Sequence, residues 1–319
     1  MTPLQRYIAE EIATDHVDGL LSRREALRRL ALLGVGAASA SALIAACADS
    51  QRSTEETSTA SSPSPGTSSG TSSAPPPSST PAAQRVPPGQ AGALPTGPVT
   101  WAGPGGELQG AWAQAPEARG GLLVIHENKG LNDWVRSVAG RFAGAGYSAL
   151  AIDLLSADGG TATFTDPAAA TAALGKRAPE DMVADLNSGV AELQRRTPQL
   201  KTAAIGFCMG GGLVWQMLAG GEPKLAAAFP FYGPAPENPD FSGSKDVAVL
   251  GFYGALDQRV TSTEPVVRAA LDKAGLVHEL VTEPGANHAF FNDTGDRFDQ
   301  TAADDAWRRT LDWLTLHVG

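Results

Sequence analysis

The sequence predicts an α/β domain built on a doubly wound, mostly parallel sheet with helices on both faces. Three observations carry that expectation. Residues 121–126, 147–153, 202–207, 225–232, 247–253 and 278–282 are short, continuous apolar runs of the kind buried on both faces of a parallel sheet. Stretches with helical spacing lie between or after them, at 134–145, 180–196, 211–218, 264–274 and 299–317. Strands separated by crossover helices place reactive groups together at the carboxyl ends of the strands.

In chain order, residues 98–103 and 107–114 alternate in polarity as an opening hairpin at a sheet edge does. The strand at 121–126 ends in His126-Glu127, and the strand at 147–153 ends in Asp153. A Gly/Ala/Thr-rich stretch from Ser156 to Pro179 reads as a loop covering a pocket, with Trp134, Phe164, Tyr232, Phe290 and Phe291 as candidate apolar lining. The strand at 202–207 runs directly into Gly206-Phe-Cys208-Met-Gly210-Gly, and a helical pattern follows at once.

Two segments precede this domain. Residues 1–46 read as an export signal: Ser22-Arg23-Arg24-Glu-Ala-Leu-Arg28-Arg29 leads into the apolar run 30–46, and Ile44-Ala-Ala-Cys47 closes it. Twin arginines, a short apolar core and a small-small-Cys end resemble a twin-arginine signal joined to a lipoprotein cleavage box. Ahead of the arginines, Leu4, Ile8, Ile12, Val17, Leu20 and Leu21 mark an amphipathic helix. Residues 47–97 are rich in Ser, Thr and Pro and nearly free of large apolar residues, so a disordered tether is expected there. The expectation for location is an exported protein held on the outer face of the membrane by a lipid on Cys47.

The remaining residues, 98–319, make one domain of ordinary size. The chain carries 24 basic against 34 acidic side chains, and the leader is balanced, five of each, so the excess of ten negative charges falls after it. That balance, with no basic cluster, argues against nucleic acid as a partner. The chain has two cysteines. With Cys47 lipidated, Cys208 is the sole thiol of the mature chain and no intramolecular disulfide can form.

The segment around Cys208 has the form of a nucleophile elbow with a thiol in place of the usual hydroxyl. Gly206 and Gly210 carry no Cβ to collide as the chain reverses from strand to helix. A thiol at a helix N-terminus is stabilised as the anion, and the same amides stabilise a developing oxyanion. Asp257 follows the strand at 247–253, and His288, in Asn287-His288-Ala-Phe, follows the strand at 278–282. Nucleophile, acid and histidine thus occur in the order in which a histidine takes the nucleophile's proton and an acid fixes its tautomer. Asp257 also suits a helix N-cap. His126 reads as structural or orienting, and His278 and His317 as surface groups.

Gly206-Phe-Cys208-Met-Gly210-Gly211, Val-Ile-His-Glu127-Asn-Lys-Gly-Leu, Tyr-Gly-Ala-Leu-Asp257-Gln-Arg-Val and Asn-His288-Ala-Phe together resemble the dienelactone hydrolase family, the carboxymethylenebutenolidases. The resemblance covers nearly all of 98–319 and implies an α/β-hydrolase fold. It implies a Cys208, His288, Asp257 triad cleaving an ester or lactone through an acyl-thioester. It also implies that Glu127 contacts the resting thiol, and that the backbone amides of Met209 and Asn128 form the oxyanion hole. The expected partner is a small-molecule ester or lactone, with no metal, no organic cofactor and a monomeric chain. Family members grip a substrate carboxylate with two arginines, and Ala157 and Asn292 stand at the corresponding places, with Lys129 and Arg177 as possible substitutes. Hydrolysis of another acyl bond, or a surface-binding lipoprotein without turnover, are the alternative readings.

Overall fold

The structure is a computed structural model that describes residues 1–59, 86–221 and 224–319. It contains two compact units, one formed by Met1–Ile8 with Pro87–Gly319 and the other by Ala9–Val86.

The first unit holds an eight-stranded sheet. In chain order its strands are β1 (Gly97–Gly103), β2 (Gly106–Ala113), β3 (Gly120–Ile125), β4 (Tyr147–Asp153), β5 (Thr202–Phe207), β6 (Ala227–Phe231), β7 (Ala248–Gly254) and β8 (His278–Glu283). They lie in the order β1-β2-β4-β3-β5-β6-β7-β8. The β1/β2 and β2/β4 pairs are antiparallel, and all other neighbours are parallel. Every residue of β3, β4, β5, β6 and β7 is buried, whereas β1 and β8 alternate or stay half-exposed at the edges. For β3 to β7 the apolar runs predict this burial; β8, also expected to be buried on both faces, is instead an edge strand paired with β7 alone and half-exposed.

Ten α-helices complete the described chain: α1 (Pro3–Val17), α2 (Arg23–Leu32), α3 (Ala37–Thr59), α4 (Asp133–Gly144), α5 (Pro167–Lys176), α6 (Pro179–Arg196), α7 (Met209–Ala219), α8 (Gln258–Thr261), α9 (Glu264–Ala274) and α10 (Gln300–His317). The chain steps one way from β3 to β4 over α4, then back across β3 to β5 over α6. Right-handed crossovers in opposite directions put α4 and α6 on opposite faces. The face of α4 is shared with α10 through the Phe142–Trp307 ring contact at 4.6 Å. Strand order reverses between β3 and β5, so the crevice for a ligand lies beyond their carboxyl ends.

Two boundaries differ from the sequence reading. Residues expected in the tether already belong to the sheet-bearing unit: Leu94 N–H donates to the Gly140 carbonyl at 2.9 Å, and Gln90 accepts from Ser137 and Arg141 on α4. At the tether's other end α3 continues to Thr59, and residues 60–85 of the expected tether lie outside the described residues. The stretch from Ser156 to Pro179 is not all loop, because Asp166 caps α5 and Pro167 opens it. An Asp N-cap before a proline and a run of alanines is a helix start that the loop-like composition concealed.

In the second unit, Ser22 caps α2 by accepting from Glu25 N–H, and Glu25 pairs with Arg28 and Arg29. Arg23 and Arg24 are exposed. Among the described residues no helix is long and apolar enough to cross a membrane.

Candidate active site

Cys208 stands between the last residue of β5 and the first of α7, with φ 55° and ψ −117°. A non-glycine residue in that region is strained and persists only where its surroundings fix it. Here the fixing is close packing of backbone. A Cβ on Gly206 would meet the Gly210 carbonyl oxygen at 2.1 Å, and one on Gly210 would meet the Ile125 oxygen at 2.6 Å. The Cys208 N–H donates to the Phe231 carbonyl at 3.0 Å, tying the elbow to β6. Met209 opens α7, so its backbone N–H has no intrahelical acceptor. Asn128 is buried three residues beyond β3, across the switch point from the thiol.

Asp257 ends the turn after β7 and His288 lies in the turn after β8; both are buried. The His288 Nδ1 is 2.6 Å from Asp257 Oδ2. Asp257 Oδ1 meanwhile accepts from Val260 N–H at the start of α8. The capping role and the histidine contact are therefore served by different oxygens of one carboxylate. Burial raises the Asp257 pKa, but the neighbouring His288 charge, its hydrogen bond and Arg259 outweigh it and hold the carboxyl below its ordinary value. His288 Nε2 makes no hydrogen bond among the described residues, and the Cys208 sulfur and a His288 ring nitrogen lie within 4.8 Å of each other. The Tyr232 ring packs edge-on against the imidazole, with centroids 5.2 Å apart.

Glu127, two residues past β3, is buried on the same rim. Its Oε2 accepts from Asn292 Nδ2 at 2.8 Å and its Oε1 from the Tyr232 hydroxyl at 3.4 Å. Burial, then the nearby Glu127 and Cys208, push the Tyr232 phenol well above its ordinary pKa, which keeps it a neutral donor. Asn292 is placed by Thr294, whose N–H and hydroxyl both donate to its Oδ1. The next residue, Asp293, accepts from Trp134 Nε1 and from the buried guanidinium of Arg141 at 2.8 Å.

His126 is structural. Its Nε2 accepts from Leu154 N–H, which fixes the proton on Nδ1, aimed at the Glu127 carbonyl 2.5 Å away. Burial lowers its pKa.

The structure also sorts the remaining candidates. Arg177 donates to the Leu154 carbonyl and pairs with Asp185 at 2.8 Å, so it is spent inside the fold and does not stand in for a substrate-gripping arginine. Lys129 and Ala157 are exposed, and Asn292 holds Glu127. Phe290 and Phe291 are fully buried, Phe291 stacked on Phe207, so they are core residues, while Phe164 is half-exposed. A cavity of about 490 Å³ lined by Lys201, Lys224 and Asp246 opens at the amino ends of the strands, away from Cys208.

A dienelactone hydrolase family model matches residues 108–318, about two thirds of the chain and all of the sheet from β3 onward. The chain belongs to the dienelactone hydrolase family. A relative from Escherichia coli O157:H7, named "Putative carboxymethylenebutenolidase", is 30% identical over 210 residues, covering 62% of this chain and 77% of its own. A solved Klebsiella pneumoniae structure described as a "Putative Dienelactone Hydrolase" is 26% identical with a TM-score of 0.61, covering 70% of this chain and 99% of that one. A dienelactone hydrolase-like promiscuous phosphotriesterase from metagenomic libraries is 25% identical with a TM-score of 0.59, covering 71% and 100%. Family membership makes the protein an α/β-hydrolase-fold hydrolase of ester or lactone bonds.

Nothing in the sequence reading placed Tyr7 at the site. Tyr7, on the first turns of α1, puts its hydroxyl 3.3 Å from the Cys208 sulfur. The amphipathic spacing of Leu4 and Ile8 signals that this face is covered, but not by what; both are buried.

Proposed function

We propose that the protein hydrolyses small, uncharged esters or lactones through Cys208, with His288 as base and Asp257 as the group that orients it. The observation that carries this reading is the 2.6 Å contact from Asp257 to one ring nitrogen of His288, with no hydrogen bond to the other among the described residues and the Cys208 sulfur within 4.8 Å of a nitrogen of the same ring.

In the proposed sequence His288 Nε2 accepts the Cys208 proton and the thiolate attacks the carbonyl carbon. Charge moves to the carbonyl oxygen, which the N–H groups of Met209 and Asn128 stabilise; losing one such donor typically costs about 3 kcal/mol of barrier. The C–O bond breaks and His288 returns its proton to the leaving alkoxide. Water, deprotonated by His288, then cleaves the acyl-thioester and releases the acid. Glu127 is a second proton acceptor for the thiol and is displaced when substrate enters. A thiol at its reference pKa of about 8.5 is only a few per cent thiolate at neutral pH, so both the base and the helix terminus are needed. With Asn292 engaged on Glu127 and Arg177 on Asp185, neither is offered to a substrate carboxylate, which favours a neutral acyl group over dienelactone.

The test is turnover of short p-nitrophenyl esters by the wild-type chain and by Cys208→Ala and His288→Ala. Each substitution should abolish hydrolysis. Undiminished activity in Cys208→Ala overturns the assignment, and an intact site that turns over no ester or lactone of a broad panel favours a binding role.

We further propose that residues 1–46 direct export and that cleavage before Cys47 leaves a diacylglyceryl cysteine, with 47–97 as the tether. Mass spectrometry of the mature amino terminus tests this; an unprocessed Met1 chain in the cytosol would refute it.

A further inference from the structure

We infer that Met1–Ile8 is a built-in plug that holds the nucleophile closed until this segment leaves. The inference rests on the reading of Cys208 as nucleophile. The Tyr7 hydroxyl sits 3.3 Å from the Cys208 sulfur, and the contact is buried. An attacked carbonyl carbon must come within about 3–3.5 Å of the nucleophile, so tyrosine and substrate compete for one position. The plug is held by chemistry of its own. The Arg259 guanidinium lies 4.4 Å over the Tyr7 ring, and its Nη1 donates to the Tyr7 carbonyl at 3.4 Å. Leu4 and Ile8 are buried, and Met1–Ile8 belongs to the same compact unit as the sheet although some eighty residues separate them in sequence.

Closure of this kind lowers apparent reactivity by the fraction of molecules that are open. On the export reading, cleavage before Cys47 removes Tyr7 together with the leader. The unprocessed chain is then the closed form and the anchored product the open one, which confines hydrolysis to the destination.

The experiment uses the full chain carrying Cys47→Ser, so that Cys208 is its only thiol. Iodoacetamide labelling of Cys208 and hydrolysis of p-nitrophenyl acetate are followed in Tyr7→Ala and Tyr7→Phe well below the melting temperature of either, each variant first shown to keep the parent's melting temperature. Both rates should rise about tenfold or more in Tyr7→Ala, because access and thiolate fraction set thiol reactivity. Tyr7→Phe, which keeps the bulk, should stay within about threefold of the parent. If alanine lowers the melting temperature, Tyr7→Leu carries the same expectation. A labelling rate unchanged in Tyr7→Ala overturns the plug, as does turnover that falls in both variants, which would place the hydroxyl in catalysis. Faster labelling without any ester turnover would leave the plug standing and sink the hydrolase reading instead.

Discussion

Asn292 donates its side-chain amide to the carboxylate of Glu127 at 2.8 Å. Asn292 thus spends its side-chain amide on the enzyme's own acid and offers no cation to a substrate. Esters whose acyl chain carries a carboxylate should therefore react poorly. The ratio of kcat/KM for p-nitrophenyl acetate over its hemisuccinate counterpart should exceed about ten, or roughly 1.4 kcal/mol of discrimination. A preference for the charged ester would contradict this reading of Asn292.

Replacing Asp257 by Asn keeps the shape of the turn but presents an amide to His288 Nδ1. The imidazole is then free to adopt the wrong tautomer, and the imidazolium loses its counter-charge. Hydrolysis should fall by roughly 10³ to 10⁴ in kcat with KM little altered. A loss confined to KM would remove Asp257 from the chemistry.

The Arg141–Asp293 pair, with the guanidinium almost fully buried, anchors the loop that carries Asn292. Removing one partner strands the other charge in a poorly solvated place. Arg141→Ala should cost about 3–5 kcal/mol of stability, read from the urea midpoint. A loss within about 0.5 kcal/mol would show the pair to be ornamental.

Glu283, at the end of β8, is buried beside Asp305, and burial first, then that like charge, raises its pKa to about 7. Its folded-state value lies above the unfolded one, so its contribution to stability is present below pH 4.5 and is lost as pH rises through about 7. Glu283→Gln should change little at pH 5 but raise stability at pH 8 by about 1–3 kcal/mol relative to wild type. His126 acts in the opposite sense: burial lowers its pKa, so its contribution is present above the unfolded value and is lost as pH falls below it. Comparing wild type with variant separates the two.

Strands β3 to β7 could be read from local pattern, because burial on both faces leaves an unbroken apolar run, and β1 and β2 from their alternation. Small departures have local causes: β6 begins at Ala227, not 225, since its ladder to β5 starts at the Ala203–Ala227 pair. The meeting of Cys208, Asp257 and His288 on one rim was legible because each follows a parallel strand, and the carboxyl ends of those strands lie together. The partners of Glu127 were not, since Asn292 is 165 residues away and nothing in its neighbourhood marks it as a clamp. Tyr7 was hidden for the same reason, 201 residues from the sulfur it touches.

In the proposed mechanism the acyl group passes through the Cys208 sulfur. This step is tested most directly by acid-quenching the chain during turnover of a slowly hydrolysed p-nitrophenyl ester and mapping the adduct by peptide mass spectrometry. An acyl mass should appear on the peptide containing Cys208, labile to hydroxylamine and missing from Cys208→Ala. An acyl group on any other residue, with Cys208 unmodified while product accumulates, would contradict it.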